Sequence, residues 1–390
     1  MTRAKTTTDW AVAEGRYTPY RFSREIRERA RELNRLDNWH GILGFLSDAF
    51  WITAAVWLSA GVSFWFYPLT LVVVGSRMRA LATLLHESAH GILAANRTLN
   101  LVLGTVLSAY PIFQTHYSYK KSHVATHHPK LGRPDADPDL VFFIEQGVYE
   151  EGLTARARWM RLVVLPALGS RTLSVLKYLV VNRFGGGGSA TEEESRADHK
   201  VKARRDTIAF AVFWAVALGG LAWGGLLVEF VLFWVVPYLT TFQIVSWYIE
   251  LAEHTPLVRD NSVNLYMTRN RKSRGLERFL TAMHRENFHL DHHLDTRTPY
   301  WNIRKVHQLR LQDPEYAAWD ARMGGLFMKG PQGQESAIRQ IVRGLGERSA
   351  AARGERSAVA LGERSDVAED SARPDGSVRA DGGGDLLRAA

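Results

Sequence analysis

Three short clusters of histidine constrain this chain more than any other feature. They are His86-Glu-Ser-Ala-His90, His123-Val-Ala-Thr-His127-His128 and His289-Leu-Asp-His292-His293. Eight of the chain's 14 histidines fall in these few positions, a density that chance does not produce. On a helix, residues i and i+4 lie on one face, one above the other. The spacing predicts that His86 and His90 point the same way, as do His123 and His127, with His128 and His293 each turned about 100° round the helix. Imidazole is a neutral, borderline donor that suits iron, zinc, copper and nickel. Eight imidazoles exceed what one tetrahedral zinc uses. They fit two metal ions with open positions.

The sequence between the clusters is strongly apolar. Residues 49–76 contain no charged side chain, a length of about 42 Å as one helix. A bilayer core is about 30 Å thick and takes about 20 residues per span. The stretch therefore reads as a hairpin of two spans. The first runs from about Leu43 to Val62, with Asp48 near its cytoplasmic end. The second starts near Trp65 and passes Arg77 and Arg79 at the interface, with His86 and His90 just beyond. Residues 207–249 repeat the pattern with Glu229 as the sole ionised residue, and Gly219, Gly220, Gly224 and Gly225 suit close helix packing in lipid. The turns of both hairpins lack Lys and Arg, whereas the long flanking segments have many. The positive-inside rule then puts both termini, the middle loop and all three histidine clusters in the cytoplasm. Residues 99–113 are too short for a span and read as interfacial or re-entrant; residues 161–184 read as amphipathic and interfacial. The Gly185-Gly-Gly-Gly-Ser run reads as a flexible linker.

Three regions result: a cytoplasmic N-terminal segment (1–40), a membrane domain (41–330) and a disordered, low-complexity tail (331–390) in which Gly-Glu-Arg-Ser recurs from Gly346, Gly354 and Gly362. The formal charge of +9 belongs to the basic cytoplasmic face, because no aromatic-basic RNA motif or zinc finger accompanies it. The chain has no cysteine, which excludes disulfides, cysteine-ligated iron–sulfur clusters, thiolate haem and a cysteine nucleophile.

Boxes of the form His-x3-His, His-x3-His-His and His-x2-His-His, in this order and separated by membrane hairpins, resemble the membrane fatty-acid desaturase and hydroxylase superfamily. The resemblance covers roughly residues 40–310. It extends to Gly91 after the first box, to Asn100 and Gly104, to Gly132 and Asp137-Pro138-Asp139-Leu140 after the second, to Asn287 before the third, and to the exit from Pro299 to His307. It implies an all-α, integral membrane four-helix bundle with a cytoplasmic helical cap that carries a diiron centre. The implied ligands are His86, His90, His123, His127, His128, His289, His292 and His293. In some relatives the last span adds a histidine in an Asn-x3-His setting. Here that position is His254, with Glu250 in place of the Asn, which leaves open whether Glu250 binds metal, holds a water or does neither. Asp291 and Asn287 are candidates to support the ligands, as are Asp137 and Asp139. His116, His284 and His307 read as hydrogen-bonding residues, and His40 and His199 as surface residues.

The resemblance further implies an O2-dependent oxidation of an unactivated C–H bond, here desaturation of a fatty acyl chain drawn from the bilayer. Electrons come from an external donor such as a ferredoxin, since the chain shows no haem module and no dinucleotide-binding glycine fingerprint. A hydroxylase or ketolase is the alternative within the same chemistry. His86-Glu87-Ser88-Ala89-His90 also satisfies the zinc-protease motif His-Glu-x-x-His, with Glu87 as general base, but that reading leaves the other two boxes unexplained.

Overall fold

The structure, a computed structural model, describes residues 10–12, 15–183 and 196–350. Its elements are helical throughout; among the described residues the β-type pairing is a single bridge between Thr18 and Val263. The linker expected at 185–195 and the tail beyond Ala350 lie outside the described residues.

Four helices are long and apolar enough to cross a membrane: α1 (His40–Val62), α2 (Phe64–His90), α4 (Ala197–Trp223) and α5 (Leu227–Asp260). They match the two expected hairpins. α1 and α2 are separated by Ser63 alone, which is extended (φ −163°) and breaks the helix in one residue. The second hairpin turns at Gly224-Gly225-Leu226. Trp65 and Trp223, at the two hairpin tips, are almost fully exposed. A bent pair, Ala155–Ala167 followed by Thr172–Asn182 at 74°, covers most of the segment expected to be interfacial.

α2 is the most buried of the four and is the structural centre. Gly75 lets it approach α5 closely: a Cβ there would stand 2.1 Å from Thr241 Oγ1. α2 ends on Gly91, whose φ of +78° is the left-handed cap that favours glycine. The helix therefore stops immediately after His90 and leaves both first-box histidines in its last two turns.

Within the segment expected to be a disordered tail, residues 337–350 are helical, and Ala337, Ile338, Ile341 and Leu345 are buried in the same apolar cluster as Trp247 and Ile249 of α5. Their spacing is helical, but Gly and Arg between them mask it in a composition-based reading. His199, expected at the surface, is buried beside Tyr117 Oη at 3.1 Å.

Candidate metal centre

Each histidine cluster stands on a different kind of local structure. His86 and His90 occupy the end of α2. α3 (His116–Ser122) runs into a widened π-type turn over His123–His127, a feature that often marks functional sites. The third box is α6 (His289–Leu294), a helix of less than two turns. Its first amides do not dangle: Asn270 Oδ1 accepts from Leu290 N and Asp291 N at 3.1 and 3.4 Å. After the first box, Asn100 donates to Ser88 O at 3.0 Å and accepts from Leu93 N at 3.0 Å, which pins the turn that follows His90.

The three boxes converge, and they are divided between two groups. Ring nitrogens of His86, His90, His123, His128 and His292 all lie within 4.8 Å of one another, and so do those of His127, His254 and His293. His289 joins the second group, with Nε2 3.0 Å from His254 Nε2 and 3.1 Å from His293 Nε2. The second and third boxes are thus each split. His123 and His127 do share a face, their rings stacked at 5.1 Å, yet they serve different groups.

Outer nitrogens meet acceptors, and inner nitrogens meet each other. His127 Nδ1 donates to Asp137 Oδ1 at 2.8 Å. His254 Nδ1 lies 3.3 Å from Met267 O, His289 Nδ1 3.5 Å from Glu253 Oε1, and His86 Nδ1 3.7 Å from Glu87 Oε1. Such partners fix the Nδ1–H tautomer and aim the Nε2 lone pair inward. Inside, Nε2 of His86 and of His90 is buried with no hydrogen-bond partner. The Nε2 atoms of His123, His128 and His292 form a chain with 3.2 Å steps. Where both facing nitrogens lack a proton, their lone pairs repel at this distance unless a cation lies between them. The donor set therefore fits bound metal, five nitrogens in one group and four in the other.

The protonation states agree. Burial, then the neighbouring imidazoles, lowers the pKa of His123, His128, His289, His292 and His293 well below the ordinary value, which keeps them neutral and able to ligate. His127 differs. Burial alone would lower it, but Asp137 and Asp139 outweigh burial and raise it to about 9, so without metal this ring carries a second proton that a bound cation must displace. Asp137→Asn keeps the shape and removes the charge. It is expected to weaken metal affinity by roughly 10-fold or more, measured by chelator titration, with helix content unchanged.

The residues expected to support the ligands make other bonds. Asp291 does not orient a box histidine; its carboxylate is bonded by Arg310, Tyr316, Asn270 and His307 at 2.8–3.1 Å. It faces away because the short α6 puts only one side toward the metal groups. Asn287 donates to Arg271 O at 2.9 Å and holds a loop. Glu250 pairs with Arg79 Nη1 at 2.7 Å, and no bond between Glu250 and His254 forms. The α5 carboxylate beside a box histidine is Glu253, 3.5 Å from His289 Nδ1. His116 bonds Ser88 Oγ at 3.0 Å, and His284 bonds Asp48 Oδ2 at 2.7 Å, tying the third-box approach to α1. Glu87 Oε2 accepts from Tyr300 N at 2.9 Å, so this carboxylate anchors the chain after the third box.

The chain matches the family model described as fatty acid desaturase over residues 63–322. It is 44% identical over 345 residues to the dihydrorhizobitoxine desaturase of Bradyrhizobium elkanii, covering 88% of this chain and 96% of that one. It is 25% identical over 256 residues to the sn-1 acyl-lipid omega-3 desaturase (ferredoxin) of Synechocystis sp., covering 63% of this chain and 67% of that one. A match across most of the chain, with the three histidine boxes converged as they stand here, makes this an oxidoreductase that belongs to the fatty acid desaturase family.

Proposed function

We propose that the chain is an O2-dependent desaturase working at a two-iron centre. His86, His90, His123, His128 and His292 would hold one ion, and His127, His254, His289 and His293 the other. The observation that carries this reading is the inward convergence of nine imidazoles, with the Nε2 atoms of His86 and His90 orphaned and buried. Bound iron supplies O2 activation and removal of hydrogen from unactivated carbon. The reaction balances as CH–CH plus O2, two electrons and two protons giving C=C and two waters.

The protein supplies the rest. A cavity opens beside His86, His123, His289 and His292, so a bound substrate lies against both groups. Its enclosure by α2 and α5 keeps water from the reacting carbons. The electrons come from an external donor, and a ferredoxin at the basic cytoplasmic face suits the charge and the name of the Synechocystis relative. The four long helices make two hairpins of a membrane bundle within residues 41–330, with the histidines in a cytoplasmic helical cap. On that topology a tag at Met1 is cytoplasmic and one near Gly61 is outside; a cytoplasmic signal at Gly61, read by reagent accessibility, would sink it.

A fatty acyl chain is the substrate that the family description and the Synechocystis relative support, whereas the Bradyrhizobium relative is named for dihydrorhizobitoxine. Mass spectrometry of cells making the protein, against cells making His127→Ala, tests the reaction: loss of two hydrogens supports desaturation, and gain of one oxygen would make it a hydroxylase. Metal analysis should find about two irons per chain. Glu87→Gln separates this reading from a zinc protease. The variant is expected to keep its iron and measurable turnover, because Glu87 touches Tyr300 N and the outer nitrogen of His86; a protease would lose its general base and all activity.

A further inference from the structure

The cavity beside the histidines, about 120 Å³ between α2 and α5, is lined by apolar side chains such as Phe142, Leu179 and Phe242 together with a group of polar ones that a hydrocarbon chain cannot use. A void of about 150 Å³ accommodates a benzene, so this is room for a few heavy atoms. Gln243, Ser246, Glu250 and Glu253 follow one another at i, i+3, i+7 and i+10, a polar stripe on one face of α5 within an otherwise apolar helix. Arg79 and Glu286 stand opposite, Arg79 bonded to Glu250 at 2.7 Å and to Glu286 at 3.2 Å. Polar groups at such depth are expensive and mark function.

Several of these groups have no partner. Gln243 is only 3% exposed and Ser246 6%. Both amide atoms of Gln243, Ser246 Oγ and Glu286 Oε1 are buried without a hydrogen bond. Glu286 Oε1 has the Arg271 guanidinium 4.0 Å away, but the three atoms of Gln243 and Ser246, on side chains that line one cavity, call for a ligand that satisfies them. The lining also carries more acid than base: Glu250, Glu253 and Glu286 stand there with Glu87 and Asp139, against Arg79 and Arg285.

We propose that this cavity binds a polar small molecule, bearing amine or hydroxyl groups close to the carbons that lose hydrogen, rather than an unbroken acyl chain. This rests on the desaturase reading and narrows its substrate class. The physical reason is asymmetry. A site built to hydrogen-bond its substrate rejects an analogue lacking those groups by about 10⁴-fold, because the buried partners stay unpaired. A hydrocarbon here would strand Gln243 and Ser246. A donor-rich molecule would pair Gln243 Oε1 and Ser246 Oγ, and an acceptor on it would take Gln243 Nε2.

The test uses the full-length protein in cells of its own source, with the gene deleted and then restored as wild type, Gln243→Leu or Ser246→Ala. Mass spectrometry follows pairs of compounds differing by two hydrogens in the water-soluble and lipid fractions. The expected result is a gene-dependent pair in the water-soluble fraction. Its product falls at least about tenfold with Gln243→Leu, and less with Ser246→Ala. Iron per chain stays unchanged, and the purified Gln243→Leu protein melts no lower than wild type, since an orphaned amide has been removed. A pair confined to acyl chains, or a water-soluble product that Gln243→Leu leaves intact, overturns the inference while desaturation stands. A gene-dependent pair in neither fraction removes the desaturase reading itself.

Discussion

His127→Ala and His292→Ala are each expected to abolish product formation, from one residue in either nitrogen group. His292 Nε2 lies 3.2 Å from His128 Nε2 in the five-membered group, and His127 belongs with His254 and His293 in the other. Removing one imidazole leaves an ion short of a ligand, and the neighbouring side chains are committed. Asp137 is 1% exposed and engaged with Gly132 N as well as with His127. Iron per chain should fall from about two by at least one in each variant. Both proteins should remain in the membrane, because the exposed apolar faces of the four long helices are untouched. His254→Ala belongs to the same class, since His254 Nε2 faces His289 Nε2 at 3.0 Å and makes no bond to Glu250. Full iron content together with full product in His127→Ala and His292→Ala would dismiss the two-iron reading.

The histidine spacing made the existence of this site legible, and hydropathy made the two hairpins legible, because each follows from a local period. The division of labour within the boxes was not legible. His123 and His127 stack as an i, i+4 pair should, yet the widened turn and the path of the chain send them to different groups. Nor could spacing choose between Glu250 and Glu253, which sit on one face of α5 and differ only in what packs opposite. Arg79, from a segment 171 residues away, takes Glu250, and His289 stands beside Glu253. The polar stripe from Gln243 was visible as a helical period but hidden inside an apolar block read only for its length. The helix over residues 337–350 was not legible because low-complexity composition outweighed Ile338, Ile341 and Leu345.

Asp291→Ala is expected to destabilise the protein by about 3–5 kcal/mol, as loss of one partner from a buried ion pair does. Asp291 is fully buried. Burial alone would push its carboxyl up, but His307, Arg310 and Tyr316 hold it below the usual carboxylate range. Without it, Arg310, 3% exposed, loses its carboxylate partner and Tyr316 Oη its acceptor. The exposed pair of Arg133 and Asp135 makes the control: Asp135→Ala should cost at most about 1 kcal/mol. The two candidate roles of Asp291 separate in metal-free protein. A residue that merely oriented a ligand would, when removed, weaken iron binding and leave the melting temperature of the iron-free protein unchanged. A residue that braces α6 against Arg310 and Tyr316 lowers that temperature with no metal present. Excess iron should then recover part of the lost stability, because it binds the folded state alone. The same excess should recover little in His292→Ala, where the ligand itself is gone. An unchanged melting temperature for iron-free Asp291→Ala would return Asp291 to the role of orienting a ligand.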